Sequence, residues 1–497
     1  MLVETLLQSA MLRGDKPAVA DPSRSLTYRQ LAGLSIIMRG HVEQATQRPH
    51  VGILLPSTTA FAGTFYGALW AGKTVVPLNF MLQPAELAAI VQDAELDVIF
   101  ATKFFRELAG ALPCKVVYVE DLPLQEQLVA LAQAAAAAGG VPQLPSMPSV
   151  GTDDTAVLLY TSGTSGKPKG VCQTYGNLRS DMEACVEKAQ LKEEHHFLGL
   201  LPLFHSFGLT AMLLVPVRLG ASVFYMPRFL PAAVIDAIRE QKVSVTMMIA
   251  SMYTALLRVK SAGPEDMRSV KYILAGGEAL PDAVFEAFRD RFGVEVLQGY
   301  GMSEAAPVVS LNTPWAHKVG TVGQAIPGVT VAAFDDAGHQ LGANQIGELW
   351  VKGPIVMKGY YKKPEETAAA LTPDGWYKSG DMGTVDAEGF IKITGRKKEM
   401  IIVGGENVYP REIEAVLEQH PAVSESAVIG QHDPSRGEVV VAFVTLNEGA
   451  SATDIELREF CRDKIAGYKI PRRVIISSEL PRGPTGKILK RKLHELL

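Results

Sequence analysis

The sequence predicts an α/β protein in which a large N-terminal domain is followed by a small α+β domain. Its 497 residues are well above the roughly 250–300 at which a single core stops growing. Over the first 300 residues, short apolar runs alternate with helix-like stretches, a pattern that indicates parallel sheets covered on both faces. Beyond residue 320, short strands separated by Gly and Pro indicate a small antiparallel or β-barrel-like unit.

The large domain is predicted to contain two α/β subdomains. In the first, strands at Val51–Leu55 and Thr74–Leu78 flank a helix. Ala134–Ala138, two glycines and the prolines at 142, 145 and 148 are predicted to form a linker. The second subdomain extends from 197 to about 298 and includes strands at Val243–Met248 and Lys271–Leu274.

The small domain begins after Arg396. A helix is predicted over Pro410–Gln419, followed by strands at Ser426–Ile429 and Val439–Leu446 and by a second helix. Between Arg462 and Lys492 there are ten basic and two acidic residues, a local balance of +8. Such a run is commonly a solvated basic face, but it also suits the docking of a polyanion.

Composition excludes several classes of function. A net charge of −5 and a charged content of 20% give no case for nucleic acid binding. The four cysteines lack paired spacing, so neither a disulfide framework nor a zinc site is expected, and a reducing cytoplasm is the simplest location. No signal peptide or integral membrane segment is expected, although peripheral membrane contact and either a monomer or a homodimer remain compatible with the sequence.

The segment Tyr160–Gly170, with sequence YTSGTSGKPKG, is the most informative part of the chain. It follows an apolar strand, and its glycines let backbone N–H groups approach an anion while hydroxyls and two lysines add donors and charge. The glycine spacing differs from the Walker A loop, and Pro168 favours an extended exit instead of a helix. A triphosphate-binding loop is predicted; a hairpin with solvated lysines is the alternative.

Other segments gain meaning beside this loop. In Gln298–Glu304, Tyr300 offers a flat face for a purine, Ser303 a hydroxyl and Glu304 an oxygen ligand for Mg²⁺. Asp381 lies in a glycine-bounded turn and could accept hydrogen bonds from ribose hydroxyls. Taken singly, Gln298–Glu304 is better explained as a tight turn with an exposed Glu, and Asp381 is equally well explained as a turn-former.

Taken together, these motifs resemble the acyl-adenylate-forming superfamily, which includes acyl-CoA synthetases, luciferases and peptide-synthetase adenylation domains. The resemblance rests on seven motifs in one order: Tyr160–Gly170, Leu201–His205, Gly299–Glu304, Gly347–Leu349, Gly380–Asp381, Gly395–Glu399 and Gly486–Lys487. It covers nearly the whole chain. The departures are mild: Ser303 and Ser379 stand where Thr is usual, and Tyr175 stands where His is usual.

The resemblance implies a ligase that uses ATP and Mg²⁺ to form an acyl-AMP and then transfers the acyl group to the thiol of coenzyme A. The implied catalytic residues are Lys487, His205, Thr164 and Glu304, with Glu304 and Thr164 also holding the metal. The implied nucleotide-binding residues are Thr161, Ser162, Gly163, Thr164, Ser165, Gly166, Lys167, Pro168, Lys169, Gly276, Gly277, Glu278, Gln298, Gly299, Tyr300, Gly301, Met302, Ser303, Asp381, Arg396 and Lys487.

The resemblance also implies a mobile C-terminal domain. Residues 1–395 would form the N-terminal domain, 396–398 a hinge at Lys398, and 399–497 the moving domain. The implied CoA-binding residues are Gly404, Gly405, Glu406, Arg436, Ile470, Pro471 and Arg472.

The acid substrate is predicted from segments that match the family's acyl site: Phe204–Thr210, Ile249–Tyr253, Ala275–Ala279 and Ala305–Ser310. They are apolar or small and carry no Lys or Arg, which favours a medium- to long-chain fatty acid over an aryl acid. Delivery to a carrier-protein pantetheine is an alternative to CoA. A non-catalytic nucleotide-binding module would require loss of Lys487 or Glu304, and both are present.

Overall fold

The computed structural model describes residues 2–137, 144–162, 168–434, 436–483 and 488–497. The strands, in chain order, are β1 (Pro17–Asp21), β2 (Arg24–Thr27), β3 (His50–Leu54), β4 (Thr74–Pro77), β5 (Val98–Ala101), β6 (Lys115–Tyr118), β7 (Thr155–Ser162), β8 (Pro168–Thr174), β9 (His196–Gly199), β10 (Ser222–Tyr225), β11 (Val245–Met248), β12 (Tyr272–Ala275), β13 (Leu297–Gly301), β14 (Val308–Leu311), β15 (Gln324–Ala325), β16 (Thr330–Phe334), β17 (Gly347–Lys352), β18 (Gly359–Tyr360), β19 (Trp376–Val385), β20 (Ile391–Arg396), β21 (Ile401–Val403), β22 (Glu406–Val408), β23 (Val423–Asp433), β24 (Gly437–Leu446) and β25 (Arg473–Ile476).

The helices alternate with these strands through most of the chain. They are α1 (Leu2–Leu12), α2 (Tyr28–Ala45), α3 (Thr59–Trp70), α4 (Pro84–Asp93), α5 (Arg106–Gly110), α6 (Leu124–Ala137), α7 (Tyr175–Lys188), α8 (Ser206–Leu209), α9 (Val215–Leu219), α10 (Pro231–Glu240), α11 (Ala250–Leu257), α12 (Asp282–Phe292), α13 (Pro364–Ala370), α14 (Pro410–Leu417), α15 (Asp454–Arg462) and α16 (Lys490–Leu493). A π-helix, Thr210–Leu214, joins α8 to α9. Within the described part of the chain, no helix is both long enough and apolar enough to cross a membrane.

The first subdomain is built on a seven-stranded sheet with the order β18-β8-β7-β4-β3-β5-β6. Its strands β4, β3, β5 and β6 run parallel, as the alternation of strands and helices predicts. Strands β7 and β8 pair antiparallel and carry the predicted phosphate-binding segment between them. The prediction that the chain leaves this segment as a loop or strand instead of a helix is confirmed, since β8 begins at Pro168.

The predicted linker is shorter than expected. Helix α6 continues to Ala137, so residues 134–137 are helical and not part of a linker. The reason is that alanine has the highest helix propensity, which outweighs the loop character of the Gly and Pro residues that follow. Residues 138–143 lie outside the described ranges.

The second subdomain is built on a nine-stranded sheet with the order β15-β14-β13-β12-β11-β9-β10-β1-β2. Its central strands β13, β12, β11, β9 and β10 are parallel neighbours. Parallel strands place their carboxyl ends at one edge of the sheet, where binding sites form in open α/β folds. The segments that follow β11, β12 and β13 therefore meet there, and they include the motif residues from Gly276 to Glu304.

Two smaller sheets complete the chain. The third unit is a four-stranded antiparallel sheet with the order β16-β17-β19-β20. The C-terminal part has its own five-stranded sheet, in which β22-β21-β24-β23 follow in order and β25 pairs with β24. Helices α14 and α15 pack on this sheet around a separate apolar core that includes Val408, Ile413 and Leu457. The predicted α/β fold with a small α+β end is confirmed.

Candidate active site

A cavity of about 1840 Å³ lies at the carboxyl edge of the large sheet, and the C-terminal domain contributes to its wall. The predicted catalytic and nucleotide-binding residues that line it are His205, Thr161, Pro168, Lys169, Gly276, Gly277, Glu278, Gln298, Gly299, Tyr300, Gly301, Met302, Ser303, Glu304, Asp381 and Arg396. Residues far apart in sequence therefore converge on one space. Gly163, Thr164, Ser165, Gly166, Lys167 and Lys487 lie outside the described residues, and the side chain of Ser162 is likewise not described.

Asp381 joins the polar side chains at one end of the cavity. The Tyr300 hydroxyl donates to Asp381 Oδ2 at 2.6 Å, and Arg396 Nε lies 2.9 Å from Asp381 Oδ1. The Asp381 charge raises the pKa of the Arg396 guanidinium, which therefore stays protonated. The backbone N–H of Asp381 donates to Ser379 Oγ at 3.0 Å, so the serine hydroxyl helps to fix the turn. A carboxylate held in this way has a defined orientation toward the cavity.

Glu304 is the candidate metal ligand, and few polar groups of the protein compensate for the burial of its carboxylate. The Tyr360 hydroxyl donates to Glu304 Oε1 at 3.0 Å. Burial raises the pKa of the Glu304 carboxyl, because the charged form is poorly solvated there. A bound cation would offset that cost. Among the described residues, no group of three or more His, Cys, Asp or Glu side chains is placed to hold a metal by itself.

This arrangement fits a Mg²⁺ ion that enters the site bound to the phosphates of ATP. Mg²⁺ is usually bound through one or two carboxylates together with substrate phosphates, and not by an all-protein cage. A single buried carboxylate is the donor set that such a complex needs. Tyr360, which follows a glycine in the short strand β18, was not singled out from the sequence, because nothing in its local pattern marks it as a neighbour of Glu304.

Lys169 illustrates a second contact that sequence reasoning missed. Its ammonium group pairs with Glu366 on α13 and lies 5.3 Å from the centre of the Tyr360 ring. The lysine at the exit of the phosphate-binding segment is therefore held by an acid from a distant helix. The signal that could have suggested Glu366 is weak, since it is one of several acids near the start of α13.

Ser303 and His205 are joined to the cavity wall through α8. Ser303 Oγ lies 3.1 Å from Ser206 Oγ, and the Gln173 amide donates to the Ser303 carbonyl. His205 caps α8: its Nδ1 accepts from the Phe207 N–H at 3.3 Å, which leaves Nδ1 without a proton. Phe207 also explains Gly276, where a Cβ atom would lie only 3.0 Å from the phenyl ring.

Away from these polar groups, the cavity continues as an apolar branch between α7, the sheet and the helix that contains α8 and α9. Each of the four segments predicted to form the acyl pocket contributes to the cavity wall. Further along, the branch is lined by Cys185, Ala189, Leu191, Ala211, Val215, Val245, Met247, Tyr272 and Leu274. None of these side chains is charged, so the branch suits an apolar ligand.

The predicted CoA-binding residues form a second cluster on the C-terminal domain. The Gly404 N–H donates to the Arg436 carbonyl at 2.7 Å. Asp433 accepts from the Arg436 N–H at 3.1 Å and pairs with the Arg472 guanidinium. Gly404, Gly405, Glu406, Arg436 and Arg472 are exposed, while Ile470 and Pro471 precede β25 in the same loop.

This cluster is not part of the cavity wall. Gly483 and Ile488, which flank the segment that contains Lys487, do line it. Within the described residues, the structure therefore brings the predicted ATP and acyl residues together and leaves the predicted CoA residues on an exposed surface outside the cavity wall.

Comparison with known proteins places the chain in a family. Residues 6–361 match the model of the AMP-binding enzyme family, and residues 412–487 match the model of the AMP-binding enzyme C-terminal domain. The chain belongs to the AMP-binding enzyme family, in the acyl-CoA synthetase branch of the acyl-adenylate-forming superfamily. This confirms the resemblance carried by the seven motifs.

Individual relatives cover almost the whole chain. It is 35% identical to a long-chain-fatty-acid–CoA ligase of Bacillus subtilis (strain 168), over 99% of this chain and 94% of the relative. It is also 35% identical to a feruloyl-CoA synthase of an Amycolatopsis species, over 95% of this chain and 94% of the relative. The crystal structure of ATP-bound MatB from Rhodopseudomonas palustris superimposes with a TM-score of 0.90 at 27% identity, over 100% of this chain and 99% of that one.

Proposed function

We propose that the protein is an ATP-dependent carboxylic acid–CoA ligase that activates a medium- to long-chain fatty acid through an acyl-AMP intermediate. The observation that carries this proposal is the junction of two environments in one cavity. Tyr300 and Arg396, joined through Asp381, lie with Glu304 at one end of the cavity, and an uncharged branch leads away from them. A nucleotide and an apolar acid can therefore meet with their reacting groups adjacent.

In the first half-reaction, a carboxylate oxygen attacks the α-phosphorus of ATP, the bond to the bridging oxygen breaks, and pyrophosphate leaves. We assign Asp381 and Arg396 to the ribose, Gly276 to Glu278 and Gln298 to Ser303 to adenine and the α-phosphate, and Thr161 to Lys169 to the β- and γ-phosphates. Mg²⁺, held by Glu304 and Thr164 with phosphate oxygens, would neutralise charge on the polyphosphate. Positioning and charge neutralisation account for most catalysis at phosphorus.

Lys487 is assigned to the reacting carboxylate and phosphate. Gly483 and Ile488, the described residues on either side of the segment that contains Lys487, line the cavity, which supports this assignment. His205 is assigned to the acyl site. With Nδ1 accepting from the Phe207 N–H, the proton of a neutral ring is on Nε2.

In the second half-reaction, the CoA thiolate attacks the acyl carbon, a thioester bond forms and AMP leaves. We assign Gly404, Gly405, Glu406, Arg436, Ile470, Pro471 and Arg472 to CoA. Because these residues lie outside the cavity wall, we infer that the C-terminal domain turns to present CoA to acyl-AMP. We place the boundary of that domain at 396–398, with Lys398 as the pivot.

An aryl acid is the second candidate substrate. A feruloyl-CoA synthase and a long-chain-fatty-acid–CoA ligase are equally identical to this chain, so overall similarity favours neither acid. The uncharged branch beyond Phe207 favours the longer apolar chain. A carrier-protein acceptor would use the same pantetheine thiol.

A panel of acids tests the proposal. Pyrophosphate release should occur with fatty acids of medium to long chain and rise on addition of CoA, because thioester formation frees the site. Cinnamate-type acids are the matched comparison. A preference for the aryl acids would overturn the fatty acid assignment, and a holo carrier protein that outcompetes CoA at equal concentration would overturn the acceptor.

A further inference from the structure

The apolar branch has a flat wall built by two strands. Side chains along a strand point alternately to opposite faces, so Val245 and Met247 of β11 share one face, and Tyr272 and Leu274 of β12 share the same one. Gly276, two residues after Leu274, lies at the polar end of the cavity. The wall therefore leads from the reacting groups down the length of β12 toward Tyr272.

The opposite wall is helical. Phe207, Ala211 and Val215 line the branch at a spacing of four residues, and the π-helix Thr210–Leu214 lies between the first and the last of them. A π-turn widens the helix and shifts the residues that follow it, and it commonly occurs at functional sites. The small side chain of Ala211, halfway along this wall, leaves room for a chain in the branch.

Tyr272 stands at the far end of the branch. Its side chain is 9% exposed, and its ring contacts two others edge to face: His195, with ring centres 5.4 Å apart, and Trp315, at 6.5 Å. His195 is itself buried, whereas Trp315 is 49% exposed, so the buried imidazole of His195 is the ring that backs Tyr272 from inside the protein. A ring supported in this way can act as a fixed stop for whatever fills the branch.

The length of the branch follows from strand geometry. Four residue steps separate Gly276 from Tyr272, which corresponds to about 13 Å at the usual rise of a strand. An extended chain advances about 3.3–3.6 Å for every three bonds, so about eleven bonds fit between the two residues.

We infer that Tyr272 closes the acyl branch and limits the preferred acid to about ten to twelve carbons. The inference rests on the proposed function and sharpens it from medium- to long-chain acids to the medium range. Shorter acids leave the end of the branch unfilled, and longer ones meet the ring of Tyr272. The residue acts on chain length alone and takes no part in the bonds that form or break.

A ladder of saturated acids from four to sixteen carbons tests the inference. Each additional buried methylene should raise kcat/KM by about fourfold until the chain reaches the stop. In the wild-type enzyme the rise should end near about ten to twelve carbons. In Tyr272→Ala it should continue for about two carbons or more, with KM for ATP little changed.

Two further variants keep the test decisive. Tyr118→Ala removes a tyrosine ring from β6, outside the cavity lining. It should not change the chain length at which kcat/KM stops rising. Ala211→Leu narrows the branch from its helical wall, so kcat/KM should stop rising at a shorter chain length. The inference therefore stays testable even if Tyr272→Ala folds poorly. If Tyr272→Ala and Ala211→Leu are both active and neither changes the chain length at which kcat/KM stops rising, the inference is overturned. Absence of pyrophosphate release with every acid would overturn the proposed function itself.

Discussion

The two halves of the proposed active site differ in how firmly their side chains are held. In the N-terminal half, Asp381 joins Tyr300 to Arg396, and Glu304 accepts a hydrogen bond from Tyr360. In the C-terminal half, the Arg472 side chain is 63% exposed, and added Cβ atoms at Gly404 and Gly405 would meet no neighbouring atom within 4 Å. The first half is a built pocket and the second is an open surface.

This difference indicates different roles in catalysis. Polar groups that are fixed before the substrate arrives stabilise developing charge without reorganisation, as adenylation requires. Groups on an open surface bind an incoming partner, and a domain movement can then deliver it. The two halves should consequently respond differently to mutation, and the four predictions below test that difference from the largest expected effect on the reaction to the smallest.

Lys487→Ala should have the largest effect. Loss of one donor aimed at developing charge typically lowers the rate about 10²–10³-fold, and this loss should appear in adenylation. Thioester formation from supplied acyl-AMP should be largely retained, because the proposal assigns the lysine to adenylation alone. Pyrophosphate release and single-turnover thioester formation measure the two steps separately.

Lys492→Ala is the matched control, since it removes an exposed lysine from the same domain. It should leave both steps unchanged. Equal losses in both half-reactions of Lys487→Ala would remove the distinction between the two orientations.

Lys398→Pro tests the movement itself. Lys398 lies in the turn Lys397–Glu399, which is closed by the Met400 N–H donating to the Lys397 carbonyl at 3.3 Å. Proline fixes the φ angle of residue 398 and restricts that of the residue before it, so rotation there should be blocked. Adenylation should persist, while CoA-dependent turnover should fall sharply.

Lys398→Ala removes the same side chain and keeps the torsional freedom, so it should turn over with CoA as the wild type does. If Lys398→Pro also turned over normally, the pivot would lie elsewhere. If Lys398→Ala failed as well, the side chain and not the torsion would be responsible.

Motif residues and their tertiary contacts differ in how well they can be predicted from the sequence. Asp381 and Glu304 belong to short motifs that can be read in the sequence, and the resemblance carried by the seven motifs together predicts their roles. Tyr360 contacts Glu304 from β18, and Glu366 contacts Lys169 from α13; no local sequence pattern predicts a contact that is formed only by tertiary packing. Tyr272 begins an ordinary buried strand, and only the arrangement of the walls around it gives it a role.

Arg472→Ala should have a moderate effect, confined to CoA. Its guanidinium pairs with Asp433 and remains largely exposed, so it acts at a solvated rim. Such contacts change binding and its salt dependence more than the chemical step. KM for CoA should rise several-fold and depend less on ionic strength, while KM for ATP hardly moves.

Arg473→Ala makes the same change in charge at the next, equally exposed residue. A smaller effect there would indicate a specific contact by Arg472; equal effects would indicate only the summed charge of the basic segment. Free pantetheine, which lacks the nucleotide, should be used equally well by the wild type and Arg472→Ala. Loss of activity with pantetheine would contradict the assignment.

Asp181→Asn should have the smallest effect on the reaction, because it tests the scaffold of the built half. Asp181 is fully buried on α7, and its Oδ1 accepts from the Val308 N–H at 3.1 Å. Burial raises the pKa of this carboxyl well above its ordinary value, so the folded protein holds it neutral. Asparagine has nearly the same shape and no proton to lose.

The sign of the expected pH dependence follows from linkage. A carboxyl whose folded pKa is raised contributes stability that is fully present below its unfolded pKa, about 3.9, and is lost as pH rises toward the folded value. The free energy of unfolding of the wild type should therefore fall relative to Asp181→Asn by up to about 1.4 kcal/mol per pH unit above pH ~4. Urea unfolding from pH 4 to 8 measures this slope, and the exposed Asp463→Asn is the control. A constant offset without a slope would mean that Asp181 is ionised in the fold, and the segment after Glu304 would then be held by a charge and not by a neutral acid.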